Sequence, residues 1–99
     1  MFIRFMRLRV VPERWDEALE RFRGVALPEL EREPGFLRVL VTGDAASGRA
    51  VIVTMWQNRE LAEQSAANGA VEHLLAPFSP ILVAEPEVDG LPVVVDREF

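Results

Sequence analysis

The sequence predicts an α+β domain in the order β-α-β-β-α-β, built on a four-stranded antiparallel sheet. Three observations predict it. The stretch Val51–Asn58, VIVTMWQN, alternates as a strand does and runs straight into the helix-forming RELAEQSAAN. Two more stretches, one at the start of the chain and one just before a polar turn, have strand patterning. The segments after the first and third strands carry apolar residues at helical spacing.

Each element can be justified in order. Phe2–Val11 alternates, with Phe2, Arg4, Met6, Leu8 and Val10 on one face and Ile3, Phe5, Arg7, Arg9 and Val11 on the other. Pro12 lacks an N–H and suits the first turn of a helix. Trp15, Ala18, Leu19, Phe22, Ala26 and Leu30 then make one apolar stripe, and Glu13, Asp16, Glu17 and Glu20 sit near its positive end. Gly24 and Pro28 predict a kink or brief break between them. Pro34-Gly35 stops the helix, because the residue before a proline disfavours the α region.

Phe36–Thr42 is the second strand, with Leu37, Val39 and Val41 opposed to Phe36, Arg38 and Leu40. The segment GDAASG is turn-rich, and Arg49–Gln57 returns as the third strand of a hairpin. Its two faces, Val51/Val53/Met55 and Ala50/Ile52/Thr54/Trp56, are both uncharged. Asn58 is a good N-cap for a helix burying Leu61, Ala62, Ser65 and Ala66. Asn68-Gly69 breaks that helix, and a shorter one follows with Val71, Leu74, Leu75 and Phe78. Ile81–Val95 is extended, interrupted by Pro86, Asp89-Gly90 and Pro92, and ends in Val93–Val95 with edge-strand chemistry.

This order is the ferredoxin-like supersecondary pattern. Its two helical segments cover only one face of the sheet. The other face is apolar as well and needs cover, which a second copy of the chain supplies most simply. A homodimer through the open sheet face is therefore expected, with the Val93–Val95 tail within reach of the partner's sheet edge.

Composition narrows the function. The 99 residues make one domain, 1–99, and 49% hydrophobic content supports a packed core. A net charge of −5 argues against a nucleic-acid partner, although all eleven positive charges are arginines and three lie in the first strand. There is no cysteine, so disulfides, thiolate nucleophiles and Cys-bound metals are excluded. The start, MFIRFMRLRV, has no continuous apolar run, so neither a signal peptide nor a membrane span is expected. A cytoplasmic location is the default. No phosphate loop, nucleophile elbow, Ser/His/Asp order or dinucleotide fingerprint is present.

Few residues remain to carry chemistry. Trp56 is either a pocket wall, stacking on a flat ligand with its indole N–H as donor, or a core tryptophan anchoring the strand–helix join. His73 is the only histidine. It is either a general base or a partly exposed helix residue. Arg38 and Arg4 each either bind an anionic or phenolic oxygen, or snorkel to the sheet edge. Asn58 and Gln57 can hydrogen-bond a ligand, but capping accounts for Asn58. No second histidine or carboxylate at metal spacing accompanies His73, so no metal site is expected.

Three segments together resemble the antibiotic biosynthesis monooxygenase-like family of dimeric α+β barrels. Glu33-Pro34-Gly35-Phe36 is similar to the Pro-Gly-aromatic turn leading into that family's second strand. Val53–Glu60, VTMWQNRE, is similar to its strand ending in Trp, followed by a polar turn and helix. The Ala-Leu-rich helix and late apolar strand keep the order and spacing. The resemblance implies a homodimer with a pocket between the sheet and helices of each subunit. It also implies cofactor-independent oxygenation of an aromatic phenol or quinol, or a non-catalytic homodimeric module that binds a small ligand. In the first case His73 and Arg38 would be catalytic, and Trp56, Asn58 and Arg4 would contact substrate. The haem-degrading branch uses Asn, Trp and His at places that fall on Met6, Ser65 and Leu75 here; none matches, which disfavours haem degradation.

Overall fold

The computed structural model describes residues 1–99. Strands β1 (Phe2–Arg9), β2 (Phe36–Asp44), β3 (Arg49–Trp56) and β4 (Glu87–Pro92) form one antiparallel sheet in the order β2-β3-β1-β4. A 3-10 turn at Pro12–Arg14 leads into α1 (Trp15–Arg21), and α2 (Leu27–Glu31) follows after one π-helical turn. Helices α3 (Arg59–Ala67) and α4 (Ala70–Leu75) come after β3, and a 3-10 segment, Ala76–Ile81, returns the chain toward β4. No helix is long and apolar enough to cross a membrane.

The helices lie on the β1 face that carries Phe2, Arg4, Met6, Leu8 and Val10, all buried. Ile52, Thr54 and Trp56 of β3 extend this face, and Ala18, Phe22, Ala26, Leu30, Ala62, Leu74, Phe78 and Ile81 pack onto it. The opposite face, with Ile3, Phe5, Val51, Val53 and Met55 half-buried and Leu40 and Leu91 exposed, has nothing over it.

The expected kink or brief break between Gly24 and Pro28 takes the form of a π-helical turn over Phe22–Ala26, so the helix continues. Pro28 stands in the first turn of α2 and has no N–H to give the carbonyl four residues back. The wider turn absorbs that missing bond without ending the helix.

Strand two departs from the expected alternation. Phe36 pairs with Trp56 but Arg38 pairs with Met55, so Leu37 is an extra residue in a β-bulge. Phe36 therefore meets the Trp56 ring edge-on at 5.6 Å, while Arg38 and Leu40 turn to the open face. At the start of this strand Gly35 has φ +82, and a Cβ there would lie 2.6 Å from the Leu61 side chain. The Pro-Gly turn thus needs glycine twice, for its left-handed backbone and for close approach to α3. The expected last strand is shorter than Ile81–Val95. Proline and the 3-10 segment interrupt it, and beyond β4 only the Val93 N–H bonds back, to the Met1 carbonyl at 2.9 Å.

Candidate functional site

A candidate site forms where β1, β3, β4, α3 and α4 converge, around Arg4. This arginine stands on an apolar strand face and is 7% exposed. One guanidinium nitrogen donates to the Ala62 carbonyl of α3 at 2.8 Å, and the guanidinium carbon lies 5.5 Å from the Trp56 ring centre. No carboxylate pairs with it within salt-bridge distance. Burial pushes the Arg4 guanidinium below arginine's ordinary value, and the nearby Glu63 charge partly offsets this. It remains a cation, because guanidinium does not deprotonate in proteins. The one enclosed polar side-chain atom without a partner is the Ser65 hydroxyl, so the remaining Arg4 N–H groups keep contact with solvent.

Two spaces meet at Arg4. On the inner side is a cavity of about 10 Å³, room for roughly one water, lined by Arg4, Met6, Thr54, Trp56, Val71 and Leu74 among others. On the outer side is an open groove of about 370 Å³. Arg4, Phe2 and Gly90 line this groove together with Arg59, Glu63, Val71 and Asp89. Arg59 lies over the Phe2 ring at 5.3 Å and stands 4.0 Å from the Glu63 carboxylate, across one helical turn of α3. The Asp89 carboxylate accepts from the Gly90 N–H at 2.8 Å. The groove thus presents a buried cation, a second cation, the Glu63 carboxylate and apolar side chains of Phe2, Ala66, Val71 and Val88, while Asp89, paired with Phe5, belongs to the opposite face.

The structure brings together only part of the predicted set. Arg4 and Trp56 are neighbours. Trp56 is 1% exposed and its indole N–H donates to the Thr54 hydroxyl at 3.0 Å, so it offers a ring face to Arg4 and no free donor to a ligand. Asn58 caps α3, its side-chain oxygen accepting from the Leu61 N–H at 2.8 Å. Arg38 does not share a face with Phe36, as the alternation predicted; the bulge sends it to the open face, away from the helices. His73 is exposed on α4, where it lines a small recess with Glu29, Leu30, Glu33, Ala70 and Leu74, and does not reach the Arg4–Trp56 pocket. Glu63, Arg59 and Asp89 escaped the sequence reading. The Arg59/Glu63 pair, four residues apart after an N-cap, was the available signal.

At the opposite end of the same sheet–helix layer lies a second, wholly apolar cleft of about 30 Å³ between α1 and the β2–β3 hairpin.

A family model described as "Antibiotic biosynthesis monooxygenase" matches residues 1–76. No curated protein matches the sequence. Among solved structures, one described as an antibiotic biosynthesis monooxygenase superposes with a TM-score of 0.75 at 19% identity, covering 96% of this chain and 100% of its own. A Streptomyces coelicolor monooxygenase from the gene ActVA-Orf6, in complex with nanaomycin D, superposes at 0.75 with 18% identity, over 99% of this chain and 92% of its own. A variant of MhuD with two manganese protoporphyrin IX molecules per active site superposes at 0.77 with 22% identity, over 100% of both chains. At these identities the likeness is one of fold.

Proposed function

We infer function from one premise: this chain belongs to the antibiotic biosynthesis monooxygenase family. We propose that it oxygenates an aromatic phenol or quinol without a cofactor, holding the ionised ring against Arg4. The observation that carries this is a buried guanidinium with no carboxylate partner, opening onto a groove partly lined by Phe2, Ala66, Val71 and Val88. A buried cation costs free energy unless an anion meets it, and a phenolate supplies that anion on a flat apolar body. Arg4 would stabilise the oxyanion and so favour ionisation. Glu63, on the same groove, would accept the proton in place of the solvent-facing His73.

The electron-rich ring then reduces dioxygen. For an anthrone-type methylene, two C–H bonds are replaced by one C=O bond. One oxygen atom enters the product and the other leaves as water, so the substrate supplies all four electrons. Oxygen uptake against a panel of quinols and anthrones tests this. Uptake should depend on Arg4 and survive His73→Ala. No uptake with any member, or full rate in Arg4→Met, would refute it.

A second reading is a non-catalytic homodimeric module for a small aromatic ligand. The exposed position of His73 and the tight packing around Trp56 favour it. Anthrone binding without oxygen uptake distinguishes it. On either reading we propose that two copies pair through the open face. That face has apolar residues on its two central strands (Ile3, Phe5, Val53, Met55), with charges at one end (Arg7, Arg9, Arg49) and on the edge strands (Arg38, Glu87, Asp89), the anatomy of an interface core and rim. Sedimentation at micromolar concentration should give twice 11.2 kDa; a clean monomer would defeat this.

A further inference from the structure

We propose that the apolar cleft between α1 and the β2–β3 hairpin is a binding site for dioxygen, an inference that rests on the oxygenase reading above. Ten residues line the cleft and all are apolar. Leu8 and Ile52 come from the sheet, Ala18 and Leu19 from α1, Phe22 from the π-helical turn and Phe78 from the last helical segment. No nitrogen or oxygen faces the space. A buried water needs two to four polar partners, and this cleft offers none, so water gains little by entering it. A small non-polar molecule loses nothing by leaving water and gains dispersion contacts on several sides.

Size decides among non-polar ligands. The space of about 30 Å³ is two or three times what one water-sized sphere needs, by the ~10–15 Å³ such a sphere occupies. A fused aromatic ring system does not fit without moving Phe22 or Phe78, both buried. A diatomic gas does. Trp15 packs over the hairpin beside the cleft, and Gly43 makes room for it: a Cβ at position 43 would lie 2.3 Å from the Trp15 ring.

Position decides the role. Leu8 and Ile52 are each one same-face step along their strands from Met6 and Thr54, which line the cavity beside Trp56. Two residues of strand span roughly 7 Å. Dioxygen held in the cleft would therefore stand about one side chain away from the inner cavity at Arg4 and Trp56. The oxidant would be held within the sheet–helix layer and the ionised ring at the groove on its far side.

The test uses dioxygen itself. Methyl NMR under oxygen pressure reads paramagnetic relaxation at each side chain. We expect Leu8 and Ile52 methyls to relax several-fold faster than those of Leu74 and Ile81, which are also buried but lie away from the cleft. Ala18→Leu fills the cleft from the helix and Ala50→Leu from the strand; each should abolish the difference, and either one suffices if the other fails to fold. In turnover, each should raise KM for dioxygen several-fold and leave KM for the quinol unchanged. Uniform relaxation across all buried methyls would overturn the site. A normal KM for dioxygen in the filled variants would overturn its supply role. If no quinol or anthrone supports uptake, the proposed reaction falls, while the relaxation pattern still decides the cleft.

Discussion

Replacing Arg4 with methionine should cost modest stability and abolish binding of an anionic aromatic. Methionine keeps an unbranched apolar stem, shorter than arginine's, and removes the charge. The change forfeits the bond to the Ala62 carbonyl, about 1.5–3 kcal/mol for a charged donor. It also forfeits the Trp56 contact at 5.5 Å, about 0.5–2 kcal/mol. Against that loss of about 2–5 kcal/mol stands the relief of a partly desolvated cation, less than the several kcal/mol of a fully buried ion because its other N–H groups reach solvent. The two offset in part, so net destabilisation should be about 1–2 kcal/mol, each kcal/mol being about 4–8 °C in Tm for a domain of this size. Urea unfolding followed by Trp fluorescence measures it. A loss above about 3 kcal/mol would mean that Arg4 is a structural post, and the functional argument from its missing partner would collapse.

Three other predictions are independent of that site. Gly48 has φ +78, and a Cβ there would lie 2.0 Å from the Val10 carbonyl oxygen, so Gly48→Ala should destabilise by at least about 2 kcal/mol in a urea melt. Gly24 has open space around it and no left-handed backbone, so Gly24→Ala should raise stability by roughly 0.5–1 kcal/mol; a loss would mean that the π-helical turn needs its glycine. Hydrogen bonds from Arg14 at 2.6 Å and Arg21 at 2.8 Å hold the Glu17 carboxyl down to about 2. A depressed folded-state value means that its small stabilisation is present above pH 4.5, the ordinary value, and fades as pH falls toward 2. Carboxyl NMR titration checks it: Arg14→Gln should raise the midpoint, and a wild-type midpoint near 4.5 would show that the pairing does not persist in solution.

Much of the fold was legible because it rests on periodicity. The alternation in β1, the stripe from Ala18 to Leu30 and the Asn58 cap each specify their element through burial or hydrogen bonding. What was not legible depends on a single inserted residue or on the layout of neighbours. The Leu37 bulge reverses side-chain direction for everything beyond it, and no residue in FLRVLVT announces it, so Arg38 read as sharing a face with Phe36 and stands on the other. Pro28 marked a disturbance correctly, but whether a helix breaks or widens depends on how Phe22 and Ala26 pack, which local pattern does not record.

The site shows the same division. His73 drew attention because a lone histidine is chemically distinctive, yet its helix turns it to solvent, and distinctiveness says nothing about direction. Arg4 carried a positional signal: a cation within Phe2, Met6, Leu8 and Val10, on a strand face otherwise wholly apolar. Such a face must be buried if the domain folds at all, so the charge must go in with it or escape along its own stem. In β1 it escapes only in part: β3 and β4 flank it, α3 covers it, and the N–H groups not bonded to Ala62 reach solvent at the groove. A central strand therefore converts a polar exception in an alternating pattern into a largely buried charge, and such a charge without a carboxylate partner points to a ligand more strongly than a reactive side chain on an exposed helix.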